Sequence, residues 1–248
     1  MKILFFCKNV VKIQQYLFKS SKNPFSMLSK NIYTVIPAHN ESKNIGEIIK
    51  RTRKFISKII VVDDGSTDNT YNIAKKSDAI VLKHVINLGK GAALKTGCDY
   101  ALKSGAEYII VLDADAQHDP EEIPKFIQKL QNNEIIFGYR TGSRKMPSLL
   151  KFGNWFISST INILYKVNLR DTQSGYRAFT SNAYKKIRWT ATDYSMESEM
   201  IVNVGKHKLK YTELPIKTIY SDRYKGTTII DGIKIVMNMF WFRFFNNN

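Results

Sequence analysis

Residues 107–120 read EYIIVLDADAQHDP. An apolar, β-branched run, Tyr108 to Leu112, breaks off into three aspartates and a glutamine. A short apolar run without polar alternation marks a strand covered on both faces, and such strands belong to mainly parallel sheets. Acidic side chains this close repel one another, so the cluster is costly unless a cation is shared between them. In an extended segment Asp113, Asp115 and Gln117 turn to one side. Oxygen-only ligands suit magnesium or manganese, which keep positions open for phosphate oxygens. Asp119-Pro120 reads instead as the start of the next helix.

Upstream, the same alternation repeats. "IYTVIP", "KIIVVDD" and "AIVLKH" read as strands, and between them lie the helical stretches "ESKNIGEIIKRTRKF" and "STDNTYNIAKKS", the second capped by Ser66 or Thr67. "GKGAALKTGCDYALKSG" forms the helix before the opening strand. Strands alternating with helices predict an open α/β sheet with helices on both faces and a ligand crevice at the carboxyl ends of the strands. Asn40 and Glu41 end the first strand and Asp63 and Asp64 the second, so three strand ends send acids and polar groups to one rim. "NLGKGAALKTG" adds a glycine-bearing loop with Lys90, without the spacing of a P-loop. Downstream, "DPEEIPKFIQKL" reads as a helix and "EIIFGY" as a strand. A long apolar helix over "SLLKFGNWFISSTINILYKV", the loop "DTQSGYRAF", a helix near "MESEMIVNVGKH" and the strand "KLKYTELPIKTI" follow.

The 248 residues carry 38 Lys and Arg against 21 Asp and Glu, a net charge of +17, which calls for an anionic partner. No zinc-finger spacing or aromatic RNA-binding signature accompanies that charge, so nucleic acid is not the partner expected. Two separated cysteines, Cys7 and Cys98, exclude a disulfide framework or a cysteine zinc site and fit a reducing compartment. No stretch has the roughly 18 or more uncharged apolar residues of a spanning helix. Residues 1–30 are a basic, apolar extension, and residues 229–248 contain the aromatic, charged segment "IIDGIKIVMNMFWFRFF", an amphipathic stretch suited to a membrane surface. One domain, 31–228, lies between them.

"VIPAHNE", "VVDDGSTDNT", "NLGKGAAL" and "VLDADAQHDPEEI", in that order, resemble the family 2 glycosyltransferases of GT-A fold. "DTQSGYRAF" resembles their dolichyl- and polyprenyl-phosphate hexosyltransferase branch. The resemblance implies a GDP- or UDP-hexose donor, a Mg2+ or Mn2+ cofactor, and a lipid phosphate acceptor reached from the cytosolic face of a membrane by a peripheral protein. Pro37, Ala38, Asn40 and Glu41 would line the nucleotide pocket, with Asp63 or Asp64 accepting a hydrogen bond from base or ribose. Asp113, with Ala114 beside it, would lie near ribose and metal, while Asp115 and Gln117 ligate the ion and Lys90 faces an anion. Arg140, Ser143 and Arg144 would hold the acceptor phosphate. Gln173, Ser174, Arg177, Glu197 and Glu199 would shape the sugar and acceptor region. Arg223 and Lys225 would clamp the diphosphate, although Gly226-Thr227-Thr228-Ile229 lacks the lysine usual after this glycine.

The transfer expected inverts the anomeric carbon. A sugar hydroxyl as acceptor would need a general base, for which Asp193, Glu197 and Glu199 are the candidates. A non-catalytic nucleotide-sugar-binding scaffold is the third reading, and the intact metal residues argue against it.

Overall fold

The computed structural model describes residues 31–141 and 148–217, without the side chains of 148–155 and 157. Seven strands form one sheet: β1 (Ile32–Ala38), β2 (Lys58–Asp64), β3 (Ile80–His84), β4 (Tyr108–Val111), β5 (Ile135–Thr141), β6 (Arg177–Thr180) and β7 (Tyr211–Lys217). Their order is β3-β2-β1-β4-β6-β5-β7. β6 runs antiparallel to β4 and β5, and the remaining pairs are parallel. The mainly parallel sheet expected from the alternation is present, with one reversed strand, β6, between β4 and β5. β7 lies at an edge, where Pro215, which has no N–H to donate, is tolerated.

The helices are α1 (Ile45–Arg53), α2 (Thr70–Lys76), α3 (Lys90–Lys103), α4 (Ile123–Leu130), α5 (Ser148–Tyr165), α6 (Ser181–Ile187) and α7 (Met196–Lys206). On one face of the sheet, Val35, Val62, Ile109, Val111 and Phe137 pack with Leu94 and Cys98 of α3, Tyr165 of α5 and Met200 of α7. Alternate strand residues such as Ile36, Ile59 and Ile110 point to the opposite face and are also fully buried. There α1 buries Ile45, Ile48 and Ile49, and α4 buries Phe126 and Ile127.

Three local expectations are corrected. β4 stops at Val111, and only the Leu112 N–H, donating to the Val35 carbonyl at 3.1 Å, continues the ladder. Asp113 and Asp115 therefore come together through a turn, with Ala116 at φ +62°, and not through strand alternation. Neither Ser66 nor Thr67 caps α2: the helix starts at Thr70, whose N–H donates to Asp68 Oδ1 at 2.9 Å, and the Ser66 hydroxyl accepts from the Asn40 N–H instead. The helix after Asp119 opens as a 3-10 turn at Pro120–Glu122, because Pro124 has no N–H for a regular first α-turn. Asp119 does start it, accepting the Glu121 N–H at 3.0 Å.

Gly97 sets how closely α3 approaches the sheet. A Cβ there would lie 2.4 Å from Val35 Cγ1 and 3.0 Å from Val62 Cγ2, both stiff β-branched side chains. Gly97→Ala is expected to destabilise the fold by about 1–3 kcal/mol in denaturant titrations, despite the better helix propensity of alanine. An unchanged midpoint would show that α3 can lift without cost.

Candidate active site

The rim is built at the ends of β1, β2 and β4. At β1, Pro37 and Ala38 are buried in register with Val62 and Asp63. Asn40 adopts φ +55°, and its Oδ1 accepts from the Thr67 N–H at 2.9 Å, fastening the first rim loop to the second. Glu41 is buried, its N–H donating to Thr70 Oγ1 at 2.8 Å and its Oε2 accepting from Asn44 at 2.9 Å.

The two acids ending β2 have different environments. Asp64 Oδ1 accepts from the Leu88 N–H at 2.9 Å and lies 2.7 Å from His84 Nδ1, while its Oδ2 accepts from the Gly89 N–H at 2.9 Å. Asp64 thus anchors the loop before α3. Asp63 is fully buried: Oδ1 accepts the Ser66 N–H at 3.3 Å, and Oδ2 has no hydrogen-bond partner among the described residues. A buried carboxylate oxygen without a donor is costly until one arrives.

At the end of β4, Asp113 pairs with Lys90 Nζ at 2.9 Å, and the same ammonium donates to Glu197 Oε1 at 3.0 Å. Burial pushes the Asp113 carboxyl up more than any one neighbour lowers it, but the Lys90 charge and hydrogen bond, with His118 and Arg177, together outweigh burial and the net direction is down. Burial would likewise lower Lys90, yet Asp113 and Glu197 hold it above its usual value. Among the described residues Asp115 makes no ion pair, and Lys90 acts on it only weakly. Burial and the neighbouring Asp113 charge push it up to about 6, although the Gln117 N–H donates to its Oδ1 at 3.0 Å. Ala114, between the two, is buried.

His118 and Gly175 were not singled out from the sequence, and both pack on Asp113. Burial lowers His118 to about 4, so its ring is neutral at pH 7. Its Nδ1, 3.6 Å from Asp113 Oδ2, is too far for a hydrogen bond and has no partner among the described residues. A Cβ at Gly175 would lie 2.3 Å from Asp113 Oδ2, so only glycine lets the 171–176 loop close over the carboxylate. The glycine inside "DTQSGYRAF" was the available signal.

Arg140 Nε and Nη2 donate to Asp171 at 2.6 and 2.9 Å, a bidentate pair that turns the end of β5 towards the 171–173 loop. Gln173 lies in that loop, its Nε2 donating to Thr172 Oγ1 and Ser198 Oγ at 3.4 Å each. The Ser174 hydroxyl is buried and has no partner among the described residues. Arg177 is 2% exposed and donates to the carbonyls of Ser174, Glu197 and Thr172 at 2.9, 3.0 and 2.8 Å. It organises the region from beneath and presents nothing to the rim. Glu199 also turns inward: Oε1 accepts the Thr190 N–H and Oε2 the Ala191 N–H, both at 2.9 Å, so it brackets a turn where a sugar contact was expected. Ser143, Arg144, Arg223 and Lys225 lie outside the described residues.

Asp113, Asp115 and Gln117 fit a divalent cation by chemistry. Two carboxylates and an amide oxygen are a hard donor set, and the raised Asp115 records burial and, after it, repulsion by Asp113, both of which a cation would offset. Among the described residues no three His, Cys, Asp or Glu side chains converge on one point. The described residues alone therefore form no closed cage.

The fold is shared with glucosyl-3-phosphoglycerate synthase from Mycobacterium tuberculosis, solved with Mn2+, UDP and glucosyl-3-phosphoglycerate: TM-score 0.67 at 18% identity, over 89% of this chain and 82% of that one. At that identity the likeness establishes the GT-A architecture alone. The chain is 36% identical over 237 residues to the UDP-N-acetylglucosamine–dolichyl-phosphate N-acetylglucosaminyltransferase of Methanococcus voltae, covering 84% of this chain and 94% of the relative. It is 27% identical to the undecaprenyl-phosphate mannosyltransferase of Micrococcus luteus, over 81% and 88% of the two chains. Residues 33–188 match the family model for glycosyl transferase family 2, and with strand-end acids, GT-A sheet and relatives in agreement, the chain belongs to that family.

Proposed function

We propose that the protein transfers a hexose or N-acetylhexosamine from a nucleoside-diphosphate sugar to a dolichyl or polyprenyl phosphate, with inversion at the anomeric carbon. The observation that carries this reading is the agreement in acceptor class of relatives that differ in sugar. The Methanococcus enzyme is named for N-acetylglucosamine and the Micrococcus enzyme for mannose, yet both are named for a lipid phosphate.

The site's own geometry supports a phosphate acceptor over a hydroxyl. A sugar hydroxyl needs a general base, and the three candidate acids are otherwise engaged. Glu199 is held by two backbone N–H groups, Glu197 by Lys90, and Asp193 accepts the Ser195 N–H at 2.9 Å. A phosphate monoester, with a second pKa of about 6, is already ionised near neutrality and attacks without help. It needs cations to position it, and Arg140, oriented by Asp171, is the described candidate; Arg144 and Ser143 are assigned the same task.

In this reading Asp63 Oδ2 receives a donor from base or ribose, and Pro37, Ala38, Asn40 and Glu41 wall the nucleotide. Asp113, Asp115 and Gln117 hold Mg2+ or Mn2+, which supplies positive charge for the diphosphate. Lys90 adds a second cation where the leaving diphosphate gains charge; at about 4 Å and an effective dielectric of 20 such a pair is worth on the order of 4 kcal/mol. Arg223 and Lys225 are assigned the outer side of the diphosphate. Residues 31–228 form the catalytic domain, and 229–248, with the basic extension 1–30, meet the cytosolic face of a membrane. Among the described residues no helix is long and apolar enough to cross one.

Incubation with labelled UDP- and GDP-sugars, manganese and polyprenyl phosphate should place label in the organic phase; no extractable label with any common donor would sink the proposal. Asp115→Ala should lower the rate by roughly 10²–10³. Stability should move the other way. Asp115 rises from 3.8 to about 6 on folding, so the folded state binds its proton more tightly than the unfolded chain. Its effect then turns unfavourable as pH climbs through that window and stays fully unfavourable above it. Asp115→Asn, which keeps an acceptor for the Gln117 N–H, should therefore raise the melting temperature of metal-free protein at pH 7. That gain should fade towards pH 4, and an equal gain at both pH values would contradict the repulsion argument.

A further inference from the structure

Lys90 stands where a cation is needed before any ligand arrives. Its ammonium lies 2.9 Å from Asp113 Oδ1 and 3.0 Å from Glu197 Oε1, and it sits 5.6 Å from the centroid of the Tyr194 ring. The two carboxylates are unequal partners. Asp113 is a candidate metal ligand on the rim, whereas the Glu197 side chain is only 3% exposed, and its carbonyl is gripped by Arg177 at 3.0 Å.

The backbone beneath Lys90 is fixed as well. A Cβ at Gly89 or Gly91 would lie 2.5 Å from the Thr192 or Ala191 carbonyl respectively, so the segment before α7 lies directly on the start of α3. The Ala92 N–H donates to the Thr192 carbonyl at 3.1 Å, and Trp189 Nε1 donates to the Gly91 carbonyl at 2.9 Å. With its backbone clamped, Lys90 can change partner only by rotating its side chain about the Glu197 contact.

Building on the nucleotide-sugar reading above, we propose that Glu197 is a positioning residue that keeps Lys90 when a divalent cation takes Asp113. In the ligand-free chain Lys90 neutralises Asp113 in place of the metal. With a cation bound, Asp113 would exchange one positive partner for another, and Glu197 would retain Lys90 near the site. Lys90 would then supply positive charge towards the diphosphate beside that of the ion, and neither carboxylate would be buried without a counter-charge at any stage. A sugar contact for Glu197 would not need Lys90; this role does.

The consequence is a pair of opposed effects. Removing Lys90 removes the competitor for Asp113, so Lys90→Met should bind Mn2+ alone more tightly, on the order of tenfold, while binding UDP or GDP in saturating Mn2+ more weakly. Removing the retaining charge has the reverse effect on the metal: in Glu197→Gln the ammonium depends on Asp113, and Mn2+ alone should bind several-fold more weakly. In the double variant the Glu197 effect should disappear. A merely structural role for either residue predicts loss of metal affinity in both single variants.

Calorimetric titration of the full chain with Mn2+, then with UDP or GDP in excess Mn2+, reads all of these. If Lys90→Met does not fold, Lys90→Gln replaces it, and the rise in melting temperature on adding Mn2+ should exceed that of the unmodified chain. Equal or weaker Mn2+ binding without Lys90, or an unaltered Mn2+ affinity in Glu197→Gln, would overturn the inference. Opposed metal shifts with no nucleoside diphosphate binding would uphold the exchange and overturn the nucleotide-sugar reading alone.

Discussion

One ammonium joined to two carboxylates ties the site together. Lys90 opens α3, Asp113 follows β4 and Glu197 lies in the first turn of α7, 23 and 107 residues from the lysine. A buried charge left without its partner is penalised by several kcal/mol, so the three elements cannot separate cheaply. The close packing of Gly89 and Gly91 on the 191–193 segment and of Gly175 on Asp113 follows from the same requirement. A Cβ at any of these positions would hold the charges apart.

Around that triad the rim divides into groups that build it and groups left for a ligand. Asp64, Glu199 and Arg177 are acids and a base that a motif reading places at the ligand, yet each has its polar atoms turned to backbone groups. They shape loops. Among the described residues Asp63, Ser174 and His118 each keep a buried polar atom without a partner, as do Thr34 in β1 and Thr52 in α1, and Asp115 holds a raised carboxyl. Each unpaired buried atom and the raised carboxyl cost stability at the rim, and perturbed carboxyls of this kind cluster at functional sites.

Sheet order explains why these groups meet. Parallel strands β1, β2 and β4 are neighbours through β1, so their carboxyl ends deliver Asn40, Asp63 and Asp113 to one side. β6 then enters antiparallel between β4 and β5. Its start, with the 171–176 loop before it, therefore falls on the same rim as those strand ends. That reversal brings the 171–176 loop, with Arg140 of β5 paired to its Asp171, to the rim that carries the strand-end acids.

The sequence by itself determined the alternation of strands and helices, the acids that end the strands and the family to which they point. Those features are local: two-residue and 3.6-residue periodicities and short motifs survive without knowledge of what lies opposite. Within that reach, β2 begins and ends at the residues expected. The sequence did not determine which acids face a ligand, because a carboxylate's role depends on the donors that reach it. Asp63 and Asp64 are adjacent in the chain, yet one is fastened to the Leu88 and Gly89 amides and the other keeps a bare oxygen. Tertiary structure alone decided that difference, as it decided that Lys90 meets Glu197, because both depend on how elements far apart in the chain pack and what that packing excludes from water.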